Sequence, residues 1–494
     1  MSEERKDGYG QIIKYTGIFG GVQGLNILIG LVRNKVVALL LGPAGMGLVS
    51  LFNSVVSFIS QGTNFGVPFS AVRQVSELYE KGDEAQLRHF VKVVRCWSLL
   101  TAVLGMMVCV LVGPLMSNYT FSWGNHTLHF MLLAPAIGLM AVSGGETAIL
   151  KGMRQLRSLA LIQLMNVFVA LLISVPVYYF FGQSGIVPVI VLMALSMLLL
   201  TIRHSFRLIP YDVSGMNSVL GDGAAMIRLG IAFVFAGVMD SGAEMVVRSY
   251  LNVVDDLEVV GLFNTGFMLT TAYAGLVFTA LETEYFPRLS SVASDRAKTN
   301  ETVNRQIEVT LLIAAPMLSI LIVGLPVAVP LLFTSEFLPV VDMARVVLLS
   351  MCLRAVYLPI AYVTLAKGDS VQYFLLELVY DVLIVLLVVV CFTVWGLFGT
   401  GVALALANVS DLVVILVYSR MRYGFTLSPE ALRYFAVHLL LCSLTYASTF
   451  IPSVLGSWLA GLLLCGGSLA VSLTVLRRKS SLWNALMKRL KARR

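Results

Sequence analysis

Long apolar runs, separated by short polar or glycine-rich segments, recur along the chain from Ile12 to Leu476. A helix needs about twenty apolar residues to cross the ~30 Å hydrocarbon layer of a bilayer, and most of these runs reach that length. The pattern predicts fourteen membrane spans, at 12–41, 46–69, 93–117, 127–150, 158–181, 185–203, 226–251, 259–283, 306–333, 340–366, 372–395, 399–419, 433–450 and 456–476. Spans one and two are joined by Gly42-Pro43-Ala44-Gly45, a breaker cluster that ends one helix and lets the next begin at once. The expected fold class is an all-α polytopic membrane protein. The longest polar connection, 73–95, carries Arg73, Lys81, Arg88, Lys92 and Arg95 and reads as a solvated helix facing anionic lipid.

Composition agrees with this class. The chain is 58% hydrophobic and only 13% charged, with a mean hydropathy of +0.87, far from the balance of a soluble domain. Thirty of the 35 lysines and arginines fall on the side of the termini, and the loops on the other side carry none. The other five, Arg33, Lys35, Arg248, Arg345 and Arg354, lie inside spans. By the positive-inside rule both termini are expected in the cytoplasm. The net charge of +8 then describes a basic membrane face and calls for no nucleic-acid partner. Residues 1–14 are polar and the first apolar run is too long for the core of a cleavable signal peptide, so none is expected. The six cysteines show no metal-ligand spacing, and neither a nucleotide-binding loop nor a nucleophile–base arrangement is present. No loop is long enough for a catalytic domain. A transporter without cofactor or metal is expected, not an enzyme.

An internal repeat emerges when the spans are aligned. Leu51-Phe52-Asn53-Ser54 in span two resembles Leu262-Phe263-Asn264-Thr265 in span eight. Lys151-Gly152 after span four echoes Lys367-Gly368 after span ten, and Gly182 and Gly185 match Gly396 and Gly399. Such repeats predict two parallel six-helix lobes related by a pseudo-two-fold axis along the membrane normal, with the substrate site between them. The expected organisation is a first lobe at 1–205, a second at 206–425, two additional spans at 426–476 and a basic amphipathic tail at 477–494. The tail sets Leu482, Trp483, Leu486, Met487 and Leu490 at helical spacing among basic residues, the pattern of a helix lying on a membrane surface.

Charges inside the spans are the candidate chemistry, because each costs roughly 2.5–3.5 kcal/mol to place at membrane depth. Arg33 and Lys35 lie some ten to fourteen Å below the 42–45 turn at 1.5 Å per residue. Asp240, Glu244 and Arg248 follow one another at i, i+4 and i+8, on one face of span seven. Glu146, Glu282, Glu284, Arg354, Glu377, Asp381 and Asp411 complete the set. Two readings stand: ion pairs that hold the bundle together, or a substrate path. An anion crossing the membrane needs fixed cations, and arginine forks two hydrogen bonds onto phosphate oxygens. Buried carboxylates take up or coordinate cations readily.

The stretch Lys35–Leu48, KVVALLLGPAGMGL, resembles the first hairpin of Wzx-type O-antigen and lipid-linked oligosaccharide flippases. These belong to the multidrug/oligosaccharidyl-lipid/polysaccharide exporter superfamily. Val260–Ser290 and Tyr362–Leu378 are similar to the same family. The resemblance implies alternating access around a central cavity and a substrate of undecaprenyl-diphosphate-linked oligosaccharide, moved from the cytoplasmic to the periplasmic leaflet. Lys35 and Arg248 sit where the family pattern places cations, while Arg33 is chosen from burial alone. The expected diphosphate site is therefore Arg33, Lys35, Arg248 and Arg354. Asp240, Glu244, Glu377, Asp381 and Asp411 are expected to bind a coupling proton or sodium ion, and Gly42, Pro43 and Gly45 to pack an external gate. Membrane lipids and polysaccharide polymerase machinery are the implied partners. The competing readings are a cation-coupled multidrug antiporter of the same superfamily and a lipid II flippase. A membrane polymerase or glycosyltransferase would need a catalytic region that no loop supplies.

Overall fold

The computed structural model describes residues 3–120, 126–211 and 219–479, and every regular element among them is a helix. Nine helices among the described residues are long and apolar enough to cross a membrane. Three of them, Leu25–Thr63, Leu156–Leu208 and Ser370–Tyr423, each hold two spans, broken at Gly42, at Gly182–Gly185 and at Gly396. With Ala224–Val254 and Pro429–Ser448 they account for the fourteen spans that the hydrophobic pattern predicts. The tail 480–494 and the side chains of Glu282 and Glu284 lie outside the described residues.

By packing, the chain divides into two units. One is Met1–Gly261 with Leu332–Thr334, and the other is Leu262–Leu331 with Ser335–Arg494. The repeat is written into the backbone. Gly182 (φ 53°, ψ −132°) and Gly396 (φ 57°, ψ −140°) share a conformation open only to glycine. After span four, the N–H groups of Met153, Arg154 and Gln155 bond to the carbonyls of Ile149, Lys151 and Leu150. Lys367, Gly368 and Asp369 repeat this pattern onto Val363, Leu365 and Thr364. Arg154 and Gly368 both have positive φ, and both this pair and the Gly182/Gly396 pair are 214 residues apart. The structural register therefore pairs Arg154 with Gly368. The Lys151-Gly152 match to Lys367-Gly368 read from the sequence is two residues off.

The polar connection between spans two and three is more than a solvated helix. Its helix begins earlier, at Val67, and ends at Lys81 against Gly82, which takes a left-handed conformation. Val67, Ala71 and Val75 are buried against Leu87, Phe90, Val91 and Val94 of span three and Ala148, Ile149 and Met153 of span four. The charged face is left to solvent. Span three starts at Glu84, so Arg95 belongs inside it, only 6% exposed. Its guanidinium meets Glu146 of span four through Nε at 2.8 Å and Nη2 at 3.3 Å, and it also reaches the carbonyls of Ile209 and Pro210. Ser205 donates to the same carboxylate, and the Phe206 ring lies 4.4 Å from the guanidinium carbon. One buried ion pair thus ties spans three, four and six.

Spans two and seven run antiparallel along a seam lined with glycine. Serially along it, Ser50 meets Arg248, Phe58 meets Gly242, Gln61 meets Gly237 and Gly66 meets Gly230, and beyond the end of span seven Gly47 meets Leu257 at the start of span eight. A β-carbon on Gly47 would stand 2.0 Å from the Leu257 carbonyl oxygen, and one on Gly230 would stand 2.2 Å from that of Phe65. A β-carbon on Gly261 would stand 1.9 Å from the Pro43 oxygen, so both ends of the seam require glycine. Small residues of this kind let backbones approach where lipid supplies no hydrophobic drive between helices. In the second unit, span eight is interrupted by a π-helical turn at Met268–Ala274, closed by Gly275 against Thr271.

Glu146→Ala strands Arg95 in the bundle and is expected to destabilise the protein by about 3–5 kcal/mol, whereas Arg95→Met with Glu146→Leu recovers most of that loss. Thermal unfolding in detergent of the two variants beside the parent checks this. Gly261→Val is expected to cost about 1–3 kcal/mol through overpacking. Gly467→Val, where no atom lies within 4 Å of the added carbon, leaves the melting temperature unchanged in the same assay.

Candidate functional site

In the first unit the span-seven ladder forms one cluster. Arg248 is 7% exposed, and its Nε donates to Ser50 Oγ on span two at 2.8 Å. Its Nη1 donates to the Glu244 carboxylate at 2.8 Å and to the Glu244 carbonyl at 3.2 Å. Asp240 lies one turn further on, within electrostatic reach of both. The exposed apolar residues Ile231, Phe235, Met239, Val246 and Val253 of this helix follow a separate helical stripe, with Val254 at its end lying off it. The carboxylates therefore do not share the apolar face that suits lipid. At the end of the helix Asn252 donates to the Thr120 carbonyl at 2.7 Å, which fixes it to span three.

The other two cations of this unit are held elsewhere. Arg33 reaches Met193 Sδ on span six at 3.6 Å and faces Tyr178 of span five electrostatically. The Lys35 ammonium donates to the carbonyl of Phe333, within the short piece Leu332–Thr334 that packs with this unit. Arg33 thus reaches Met193, Lys35 the Phe333 carbonyl and Arg248 Ser50 and Glu244, while Arg354 belongs to the other unit. In the 42–45 turn, Gly42 has φ 64° and ψ −173°, and a β-carbon on Gly45 would lie 2.6 Å from that of Leu41. This turn and the residues after it press on Leu257–Gly261.

The second unit contains the other cluster. Arg354 of span ten, Glu377 and Asp381 of span eleven and Asp411 of span twelve come together around Tyr380, each within electrostatic reach of its ring hydroxyl. Asp411 is also in reach of Glu377 and Arg354, and the Arg354 guanidinium lies 5.9 Å from the Phe278 ring centre. A hydrogen-bonded string borders the cluster: Tyr357 donates to Asn408 Oδ1 at 2.9 Å, and Asn408 Nδ2 donates to Ser350 at 2.9 Å. Sequence reasoning passed over this string. Its signal was present, since Ser350, Arg354 and Tyr357 repeat at helical spacing within an apolar span. At the 214-residue register the first half has Met140, Gln163, Val167 and Met197 where the second has Arg354, Glu377, Asp381 and Asp411. The cluster belongs to one half of the repeat alone.

A cleft of about 740 Å³ also opens in the second unit, lined by Arg288, Asn300, Glu301, Arg305, Glu308 and Glu430 among others. Its residues come from three stretches, so no local motif announced it. Asn300 and Asn304 bind the 426–428 backbone across one wall.

Comparison with known proteins places these features. A family model described as "Polysaccharide biosynthesis protein" matches residues 36–342. The lipid III flippase of Escherichia coli (strain K12) is 22% identical over 356 residues, which is 70% of this chain and 83% of that protein. Its counterpart in Shigella flexneri matches equally. Among solved structures, the lipid II flippase MurJ in an inward closed conformation superposes with a TM-score of 0.71 at 14% identity, over 93% of this chain and 99% of that one. An inward-facing multidrug resistance MATE transporter of the MOP superfamily gives 0.68 at 15% identity, over 81% and 94% of the two chains. The fold is accordingly that of the superfamily, two six-helix lobes from a repeated half, here with two further C-terminal helices. Since the family model spans well over half of its length, the chain belongs to the polysaccharide biosynthesis protein family.

Proposed function

We propose that the protein is a flippase for an undecaprenyl-diphosphate-linked oligosaccharide, such as an O-antigen repeat unit. It moves its substrate from the cytoplasmic to the periplasmic leaflet by alternating access, with both termini in the cytoplasm. The observation that carries this reading is the set of fixed cations inside the spans of a polysaccharide biosynthesis family member: Arg33, Lys35 and Arg248 in the first unit, Arg354 in the second. A diphosphate crossing the membrane needs such groups, and an arginine or lysine held at depth supplies them without a mobile counter-ion. The sugars occupy a hydrated lumen and the prenyl chain stays in lipid. The names of the lipid III and lipid II flippases support a lipid-linked substrate for this chain too.

The carboxylates have a different part. Glu377, Asp381 and Asp411, with Arg354, form a cluster that the other half of the repeat lacks. A site present in one half alone suits an ion that drives the cycle, proton or sodium, rather than a substrate embraced by both. Gly42, Pro43 and Gly45 pack a periplasmic gate. The functional halves are 1–205 and 206–425. Spans thirteen and fourteen, within 426–476, are placed to meet lipid or polymerase machinery.

A second reading has an observation in its favour. Three carboxylates against one arginine in the second unit could hold an organic cation, as a multidrug antiporter does, and a MATE transporter shares the fold. A lipid II flippase is the third, favoured by the MurJ superposition.

The experiment is translocation in proteoliposomes of a fluorescent prenyl-diphosphate oligosaccharide, under a proton or a sodium gradient. Arg33→Ala and Lys35→Ala are each expected to slow transport at least roughly tenfold, the loss of one charge-assisted contact of about 1.4 kcal/mol. Full activity in both variants removes the diphosphate assignment. Transport of cationic dyes but of no diphosphate lipid puts the antiporter first, and preference for a lipid-linked muropeptide puts lipid II first.

A further inference from the structure

The Arg248 pocket is already occupied by a carboxylate. Glu244 lies one helical turn before Arg248 and closes on its guanidinium at 2.8 Å, while Ser50 holds the other edge at 2.8 Å. The two side chains differ sharply in exposure, 8% for Arg248 and 42% for Glu244. The carboxylate is thus the accessible partner and the guanidinium the buried one. A carboxylate offers arginine the same pair of anionic oxygens that a phosphate does.

We propose that Glu244 is an internal stand-in for the substrate phosphate, holding Arg248 in the empty transporter and displaced when a diphosphate arrives. The exchange rests on the flippase reading and gives it a coupling step. Arg248 need not move, because Ser50 and the seam keep it in place while its anionic partner changes. Displaced from the guanidinium, Glu244 stands beside Asp240 with two negative charges and one cation fewer. Two carboxylates so close at membrane depth are relieved by capture of a cation, either a proton or a sodium ion. Substrate binding and cation binding thus become linked through one side chain, and the linkage is reciprocal by thermodynamic necessity.

Among the described residues, the elements packed against span seven carry the following other charges. Span seven packs against spans one, two and three, against the helix Val67–Lys81 and against the short helix Val219–Asp222 before it, whose Asp222 meets His89 of span three at the far end. Span one carries Lys14 at its start and, further along, Arg33 and Lys35, which reach Met193 and Phe333. Span two carries none between Met46 and Thr63. Span three presents the hydroxyl of Thr120 near this level, since Ser249 and Asn252 contact it. Its own charges, Glu84, Arg88, His89, Lys92 and Arg95, lie at the opposite end. Arg73, Glu77, Glu80 and Lys81 of the Val67–Lys81 helix are at that same end, where Gly66 meets Gly230.

The test is binding of farnesyl diphosphate to the purified full-length protein in nanodiscs, at pH 6 and pH 8, with and without sodium. For the parent, affinity is expected to rise about tenfold at the lower pH, or on adding sodium if that is the captured cation. Glu244→Gln keeps the size of the side chain without its charge. It should bind about tenfold tighter than the parent at pH 8 and lose the dependence. Glu244→Asp, too short to hold the guanidinium in the same way, falls between the two. Equal melting temperatures of the three proteins establish that folding is not the variable. If Glu244→Gln binds with the parent's affinity and the parent's pH and sodium response, the exchange is wrong while the diphosphate reading survives. If the parent binds no diphosphate under any condition, both fall.

Discussion

A charge carried below the headgroups has to be answered inside the protein, and the bundle is arranged around that requirement. Arg95 finds Glu146, three oxygen acceptors beyond it and an aromatic face, all within one end of spans three, four and six. Arg248 finds Glu244 and Ser50. Arg354 finds a ring of carboxylates and tyrosine hydroxyls. These three solutions differ in exposure. The Arg95 pair is closed on both sides, with 6% and 3% of the side chains exposed. Nothing can reach it, so its work is to hold three helices. The Arg248 pair is closed on the cation and open on the carboxylate. That asymmetry makes partner exchange physically accessible.

The repeated half supplies the frame and the charges break its symmetry. Backbone devices recur faithfully: the glycine turn at 182 and 396, and the three crossed hydrogen bonds at 153–155 and 367–369. The charges of the Arg95 and Arg354 clusters do not recur. Glu146 corresponds to Ile360 at the 214-residue register, and Asp411 to Met197. The two halves thus share a backbone frame and differ in the charges that it carries.

Much of this was legible in the residues. Fourteen spans follow from apolar length alone, and the hairpin turns follow from glycine and proline. The helical spacing of Asp240, Glu244 and Arg248 announced their cluster, because i, i+4 neighbours on one helix need no tertiary knowledge. The membership of Arg95 in span three was not legible. The residues before it are polar, and only the packing of Val67–Lys81 beneath the bundle shows where the span begins. Side chains at i and i+2 point about 200° apart around a helix, so the spacing of Arg33 and Lys35 implied different neighbours, but only the packing shows that these are Met193 and the Phe333 carbonyl. The two-residue error in the repeat register came from matching lysine and glycine by identity. The conserved feature is a positive φ, which Arg154 adopts and Gly368 adopts more easily.

The repeat boundary and the packing boundary do not coincide, and the glycine seam explains the difference. The repeat divides before span seven, but span seven and the start of span eight, as far as Gly261, pack with the first half. Its glycines, at 230, 237 and 242, face span two along its length, and backbone oxygens come within a distance that any side chain would occupy. Contacts that close are lost all at once when helices part, because dispersion forces fade within an ångström and no water replaces them in lipid. Span seven is thus attached to the first half over its whole length by packing, and to span eight by a short link at Asp255 and Asp256. The cluster of Asp240, Glu244 and Arg248 rides on this attached helix, with Ser50 across the seam as its fourth member. A site assembled from spans two and seven therefore keeps its geometry as long as the seam is closed, and an exchange of anionic partners at Arg248 can proceed there without the helices having to separate.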